Sequence, residues 1–232
     1  MTARTQPLLM PTTASTPPAP APASQRDRTV AGLCLTLAGV GILMGSITAE
    51  ALFAGVYSTH ADTLSHLGAS EPPNSVVTQP SAATFDVTML VTGALIVAGA
   101  WFAYRALHRR PVAIATALLG IGVLGVGVFP LTHPGPHTIS AMIAFYPGGI
   151  AVIMSSRRTA RPFRYLWTSL GAVSLVAITL GLFFADWAPV ANLGEGGIER
   201  WNAYPIVLWL VAYGSYLLAR TGADLGGPAR HS

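Results

Sequence analysis

Val112-Ala-Ile-Ala-Thr-Ala-Leu-Leu-Gly-Ile-Gly-Val-Leu-Gly-Val-Gly-Val-Phe-Pro-Leu131 contains no charged residue and no amide side chain. About 20 consecutive apolar residues are what a helix needs to cross the hydrocarbon of a bilayer. Upstream, an arginine cluster (Arg105, Arg109, Arg110) separates this run from another of similar character. The pattern then repeats along the chain. Six apolar runs lie at about 30–53, 82–104, 112–131, 137–154, 163–185 and 202–219. Composition agrees, with 52% hydrophobic residues, 9% charged residues and a mean hydropathy of +0.54, outside the range of a soluble domain of this length. The runs are continuous rather than alternating, which excludes the strands of a transmembrane barrel. The sequence therefore predicts an all-α membrane fold, a bundle of six transmembrane helices.

The chain has no lysine, so its 13 basic residues are all arginines. All but Arg200 fall in the tails or in the two connections between spans two and three and between four and five. The alternate connections hold or border Glu50, Asp62, Glu71, Asp86, Asp186, Glu195 and Glu199. By the positive-inside rule both termini are cytoplasmic and the acidic face is extracytoplasmic, in the plasma membrane. A net charge of +4 does not indicate a nucleic-acid partner, because the arginines sit in short membrane-edge hairpins without a DNA-binding motif. Membrane lipids are the partners this rim implies.

Residues 1–29 are rich in Pro, Ala, Thr and Ser and read as a disordered cytoplasmic tail. Residues 30–220 form the transmembrane domain, and 221–232 a second cytoplasmic tail. Span one is too long for the apolar core of a cleaved signal peptide. The single Cys34 can form no intramolecular disulfide. Gly41, Gly45 and Ala49 make a small-residue stripe suited to close helix approach. Gly120-Ile-Gly-Val-Leu-Gly125 matches a dinucleotide fingerprint by letter, yet no strand precedes it, and close helix packing explains it better. Pro147 should kink span four. The connection from 54 to 81 is too long for a hairpin and is expected to cap the outer ends of the helices.

Three blocks in this frame resemble a known family. Asp62-Thr-Leu-Ser-His-Leu-Gly-Ala69, with Pro72-Pro73 and Phe85-Asp86 after it, is similar to the TISDLGA and IFN patterns of the bacterial and archaeal six-span membrane proteins catalogued as domain of unknown function 998. Gly127-Val-Phe-Pro130, His137 and the 141–145 stretch resemble its GLFP…H…A…F pattern. Gly197-Ile-Glu-Arg-Trp-Asn-Ala-Tyr-Pro205 with Trp209 resembles its ERxxxYPxxxW signature. The likeness spans about residues 30–218. His66 stands where the family usually has Asp, and Asp86 where it has Asn. The resemblance implies the fold but no activity, cofactor or substrate.

All three blocks bring polar residues to the outer boundary. Glu50, Asp62, His66, Asp86, His137, Glu199 and Arg200 form the candidate binding cluster, in a layer where unpaired charge is costly. Arg200 is expected to neutralise a membrane-edge carboxylate such as Glu50 or Asp186, or to grip a phosphate or carboxylate headgroup through its planar fork. His66, His133 and His137 are the residues a zinc ion would use. However, the His133-Pro-Gly-Pro-His137 spelling favours a turn before span four and histidines on different faces. No Ser-His-Asp arrangement with supporting context, HExxH or Walker loop is legible. Three functions remain. The first is a non-enzymatic binding or accessory protein, with an envelope partner or a second copy of the chain. The second is an outward-facing, metal-assisted membrane hydrolase or transferase acting on lipid-like substrates. The third is a small transporter.

Overall fold

The computed structural model describes residues 22–157 and 159–223, and among them every regular element is helical. Helices α1 (Pro22–Ala51), α2 (Ser81–Leu107), α3 (Arg110–Val128), α4 (Pro134–Ser156), α5 (Phe163–Phe183) and α7 (Gly194–Ala223) are each long and apolar enough to cross a membrane. A four-residue 3₁₀ turn (Leu64–Leu67) lies between α1 and α2, and a short helix, α6 (Ala188–Ala191), between α5 and α7.

Each predicted run falls on one of these helices, with shifted ends. α1 begins at Pro22, so residues 22–29, expected in the disordered tail, are helical, while 1–21 lie outside the described residues. α7 begins at Gly194 and continues to Ala223, so 221–223 are helical and 224–232 lie outside the description. Hydropathy cannot see these turns. At 30 residues and about 1.5 Å per residue, α1 and α7 outrun the hydrocarbon, and their polar ends satisfy the helix without being apolar. α4 also starts earlier than expected, at Pro134. The two prolines predicted to form a turn sit instead in the first helical turn, where a missing N–H costs nothing.

The spans close into a ring in the order α1, α2, α3, α4, α5, α7, with α7 returning to α1. On α1, Ala31, Leu35, Ala38, Ile42 and Ala49 are buried, while Leu33, Leu37, Val40 and Met44 are about half exposed. The same division recurs around the ring. Such apolar stripes would be untenable in water and are at home in lipid. One end of the ring carries Arg105, Arg109, Arg157, Arg161, Arg164 and Arg220, and the other carries the 3₁₀ turn and α6. We call these the arginine end and the cap end.

At the arginine end Arg105 pairs with the buried Asp27 at 3.2 Å, tying α2 to α1. His108 adopts the left-handed conformation (φ 53°) that turns the chain sharply into α3. An aromatic cluster locks α5 to α7. Trp209 stacks on Tyr213 at 5.2 Å, Trp167 meets Tyr213 edge-on at 5.4 Å, and Trp209 Nε1–H donates to Ser155 Oγ on α4 at 2.9 Å.

Span three meets its two neighbours through its glycines. Gly120 lies against the α2 backbone at Gly93, whereas Gly122 lies against the α4 backbone at Ala144 and Gly125 against Ser140. The fingerprint-like spelling is thus a helix that two others approach closely, on two faces.

Candidate functional site

The long α1–α2 connection folds down onto the cap end. Leu64 and Leu67 of the 3₁₀ turn are 7% and 0% exposed and join the core, so the segment plugs the ring. Ser81 Oγ at the start of α2 donates to the Leu67 carbonyl at 3.0 Å. His66 caps the turn, its Nδ1 accepting from the Thr63 N–H at 3.0 Å and from Thr63 Oγ1 at 2.8 Å.

Arg200 holds the other half of this connection. Its Nη1 donates to the carbonyls of Thr59 (3.0 Å), Asp62 (2.9 Å) and Gly196 (2.8 Å), and its Nη2 donates to Tyr57 Oη at 2.7 Å. Tyr57 Oη passes its own hydrogen to the Thr63 carbonyl at 2.9 Å. Burial raises the Tyr57 pKa to about 12, against the opposing pull of Arg200, so the phenol remains a donor at any physiological pH. Asp62 serves the same loop, its carboxylate accepting from the Ser58 N–H at 2.7 Å. Gly196 lets the α7 backbone approach the carbonyls of Thr59 and Asp62, where a side chain would collide. The expected ion pair of Arg200 with Glu50 or Asp186 is therefore corrected. The planar fork reaches several carbonyls at once, and the loop offers them closer than any carboxylate. Among the described residues Arg200 forms no ion pair.

Beneath this clamp lies a second, buried polar network. His137 is 5% exposed. Its Nδ1 lies 2.7 Å from the Phe129 carbonyl and its Nε2 3.0 Å from Ser65 Oγ. A carbonyl only accepts, so Nδ1 carries a proton. Glu199 accepts from the Leu64 N–H and lines, with Ser65, one small cavity. Ser65 thus joins the cap turn to α4 beside the Glu199 carboxyl group.

Two spaces adjoin this network. A central cavity of about 70 Å³ is almost wholly apolar, with Ser65, Glu199 and the buried Ser46 as its polar lining. The second is a crevice of about 400 Å³ bounded by Phe145 of α4, the cap ends of α5 and α7, and α6. Glu199 and Phe145 line both.

The candidate cluster thus divides. His137 bonds Ser65, and Glu199 bonds the N–H of the neighbouring Leu64. Arg200 and Asp62 belong to the clamp, and His66 caps the 3₁₀ turn. Glu50, on the last turn of α1, is close enough to influence Tyr57 electrostatically but makes no side-chain hydrogen bond among the described residues. Asp86 lies in the second turn of α2 against Gly68, with Oδ1 buried and unpartnered. His133, the N-cap of α4, is exposed and bonded to Thr132 at 3.0 Å, whereas His137, one helical turn on, is buried; the turn expected between them is helical instead. Among the described residues, no three His, Cys, Asp or Glu side chains converge in an arrangement that could hold a metal ion. Three residues escaped the sequence reading: Ser65, Tyr57 and Asn202. Ser65 and Asn202 lay in recognised blocks, Tyr57 in none.

Ser65, His137 and Glu199 come one each from the three blocks that carry the family resemblance. No curated protein and no solved structure matches the chain. Residues 36–216 match the family described as Protein of unknown function (DUF998), and the chain, a six-span helical membrane protein, belongs to that family.

Proposed function

We propose that this protein is a non-enzymatic binding protein of the plasma membrane, with both termini in the cytoplasm, that receives an amphipathic ligand at its extracytoplasmic cap. The observation that carries the reading is Glu199. This carboxyl group sits at the wall between a small apolar cavity and a crevice of about 400 Å³, a volume typical of small-ligand sites. Apolar walls with few convergent polar groups are the chemistry of a site that holds a chain and orients a head. Carrying Glu199, Ser65 and His137 below the cap costs desolvation that packing alone does not require. The arginine end supports the orientation through the positive-inside rule.

Orientation is checked by labelling. In a Cys34→Ala background, cysteines at the exposed positions Glu71 and Glu195 should react with an impermeant thiol reagent on intact cells. Cysteines at the exposed positions His108 and Ala160 should react only after lysis. The opposite pattern reverses the topology.

Binding is checked by native mass spectrometry of the full chain, released from mild detergent. Wild-type protein should retain a non-covalent adduct, and Ala185→Trp, which fills the crevice, should lose it while melting at the wild-type temperature. An identical adduct spectrum in both would place the ligand elsewhere.

One observation favours a second reading, an acyl-transferring enzyme. Ser65 Oγ lies 3.0 Å from His137 Nε2, and a carbonyl orients the imidazole from behind, as a nucleophile and its base require. Against it, Glu199 beside Ser65 opposes the negative charge that acyl transfer develops there. A fluorophosphonate probe separates the two. Covalent labelling of Ser65, abolished in His137→Ala, would favour the enzyme; unlabelled Ser65 in folded protein would favour binding.

A further inference from the structure

We propose that the head of the ligand in the crevice is an ammonium group with an oxygen on the neighbouring carbon, a long-chain amino alcohol; this rests on the binding reading above. The crevice walls are apolar, with Ile178, Leu182 and Ile198 among them. Its only charged lining residues are Asp186, Glu195 and Glu199. Glu195, Glu199 and Asn202 follow one another at helical spacing, so they form one stripe along α7. Arg200, next in sequence to Glu199, is turned away by the helical screw and bound to the loop carbonyls of Thr59 and Asp62. His60 reaches the mouth beside Gly194, where its Nε2 is tied to the Asn192 carbonyl at 3.2 Å. The field inside the crevice is therefore negative, and an ammonium group answers it with charge-assisted hydrogen bonds.

Asn202 supplies the second, independent requirement. It is 1% exposed. Its Oδ1 accepts from Ser174 Oγ at 2.9 Å, and its Nδ2 has no hydrogen-bond partner. A buried amide of this kind is normally satisfied. An amine alone would leave those N–H groups stranded, because both partners would be donors. A hydroxyl oxygen next to the amine accepts from Asn202 while the ammonium faces Glu199, one helical turn away. The alkyl chain then lies along the apolar walls. An anionic head would meet the carboxylates, and a simple alcohol would forgo the ion pair.

The test uses the full chain in phosphatidylcholine nanodiscs and three photo-crosslinking probes with the same lauryl chain: an amino alcohol, an alcohol and a carboxylate. The amino alcohol should half-saturate at a concentration about ten-fold or more below the alcohol, the gain from one charge-assisted contact. The carboxylate should be weakest, and cross-links should map to Ile178, Leu182 and Ile198. Glu199→Gln should bring the amino alcohol to the level of the alcohol. The exposed Glu195→Gln, which cannot disturb the core, should narrow the gap in part. Melting of each ligand-free variant at the wild-type temperature establishes that it is folded. Equal half-saturation by amino alcohol and alcohol, or a preference unmoved by both variants, overturns the assigned head group while the binding reading stands. Absence of crevice cross-links with all three probes overturns both.

Discussion

Arg200→Ala should lower the melting temperature of the purified protein by roughly 10 °C, the loss of about 3 kcal/mol. The substitution removes the three hydrogen bonds that strap the Tyr57–Asp62 segment to α7 and a fourth to Gly196 within α7. A charged donor to a carbonyl contributes more than a neutral one, and part exposure of the site reduces the total. Arg200→Lys should recover less than half, because a compact ammonium cannot reach carbonyls and phenol together. Glu50→Gln or Asp186→Gln in the Arg200→Ala background should restore nothing, since neither carboxylate is a partner of the guanidinium. Rescue by either would return Arg200 to the role of an ion-pair partner and contradict the clamp.

Gly122→Ala should be as damaging, at about 3 kcal/mol or more. The added methyl would overlap the Ala144 nitrogen and Cα and the Ile143 carbonyl carbon, all backbone atoms of α4 that cannot swing aside. α3 and α4 must separate, exposing the contact that holds the ring closed there. Gly125→Ala should cost less, because it meets Ser140 Oγ, which can rotate, and Cβ, rather than backbone nitrogen and carbonyl carbon. Gly135→Ala, with nothing within 4 Å, is the neutral control. Thermal melting of the three variants in one detergent checks the ranking. Unchanged melting of Gly122→Ala would mean that α3 and α4 are not packed as described.

The fold was legible because a bilayer writes its thickness into the chain. Runs such as 112–131 have few other uses, and their number fixed the helices before any contact was known. The glycines of α3 were likewise legible as packing residues, although which of them met α2 and which met α4 was not. Helix ends were the weak point. Polar turns such as Arg26-Asp27-Arg28 look like tail by hydropathy, yet Asp27 is buried against Arg105 on a helix far along the chain.

The site was legible in its letters but not in its pairing. Glu199 and His137 stood out as polar residues at an apolar boundary, but Ser65, the partner of His137, is an ordinary residue in a loop. It meets His137 across 72 positions of sequence. Arg200 was singled out correctly as unusual, and its partners were misassigned for a physical reason. A sequence advertises carboxylates and hides carbonyls, so a guanidinium that binds backbone looks like one in search of an acid. Asn202 was quoted within the third block without a role; its unpartnered Nδ2 appears only when the neighbours are in place.

The central claim is that the crevice under the cap holds a ligand whose head reaches Glu199. Its most direct test is a structure of the full chain from crystals grown in a lipid mesophase, purified gently and with no ligand added. Ordered non-protein density is predicted between α5 and α7, within hydrogen-bond reach of both Glu199 and Asn202 Nδ2, and continuing along Ile178 and Leu182. A crevice closed by its own side chains, with Asn202 Nδ2 bonded to the protein, would contradict it.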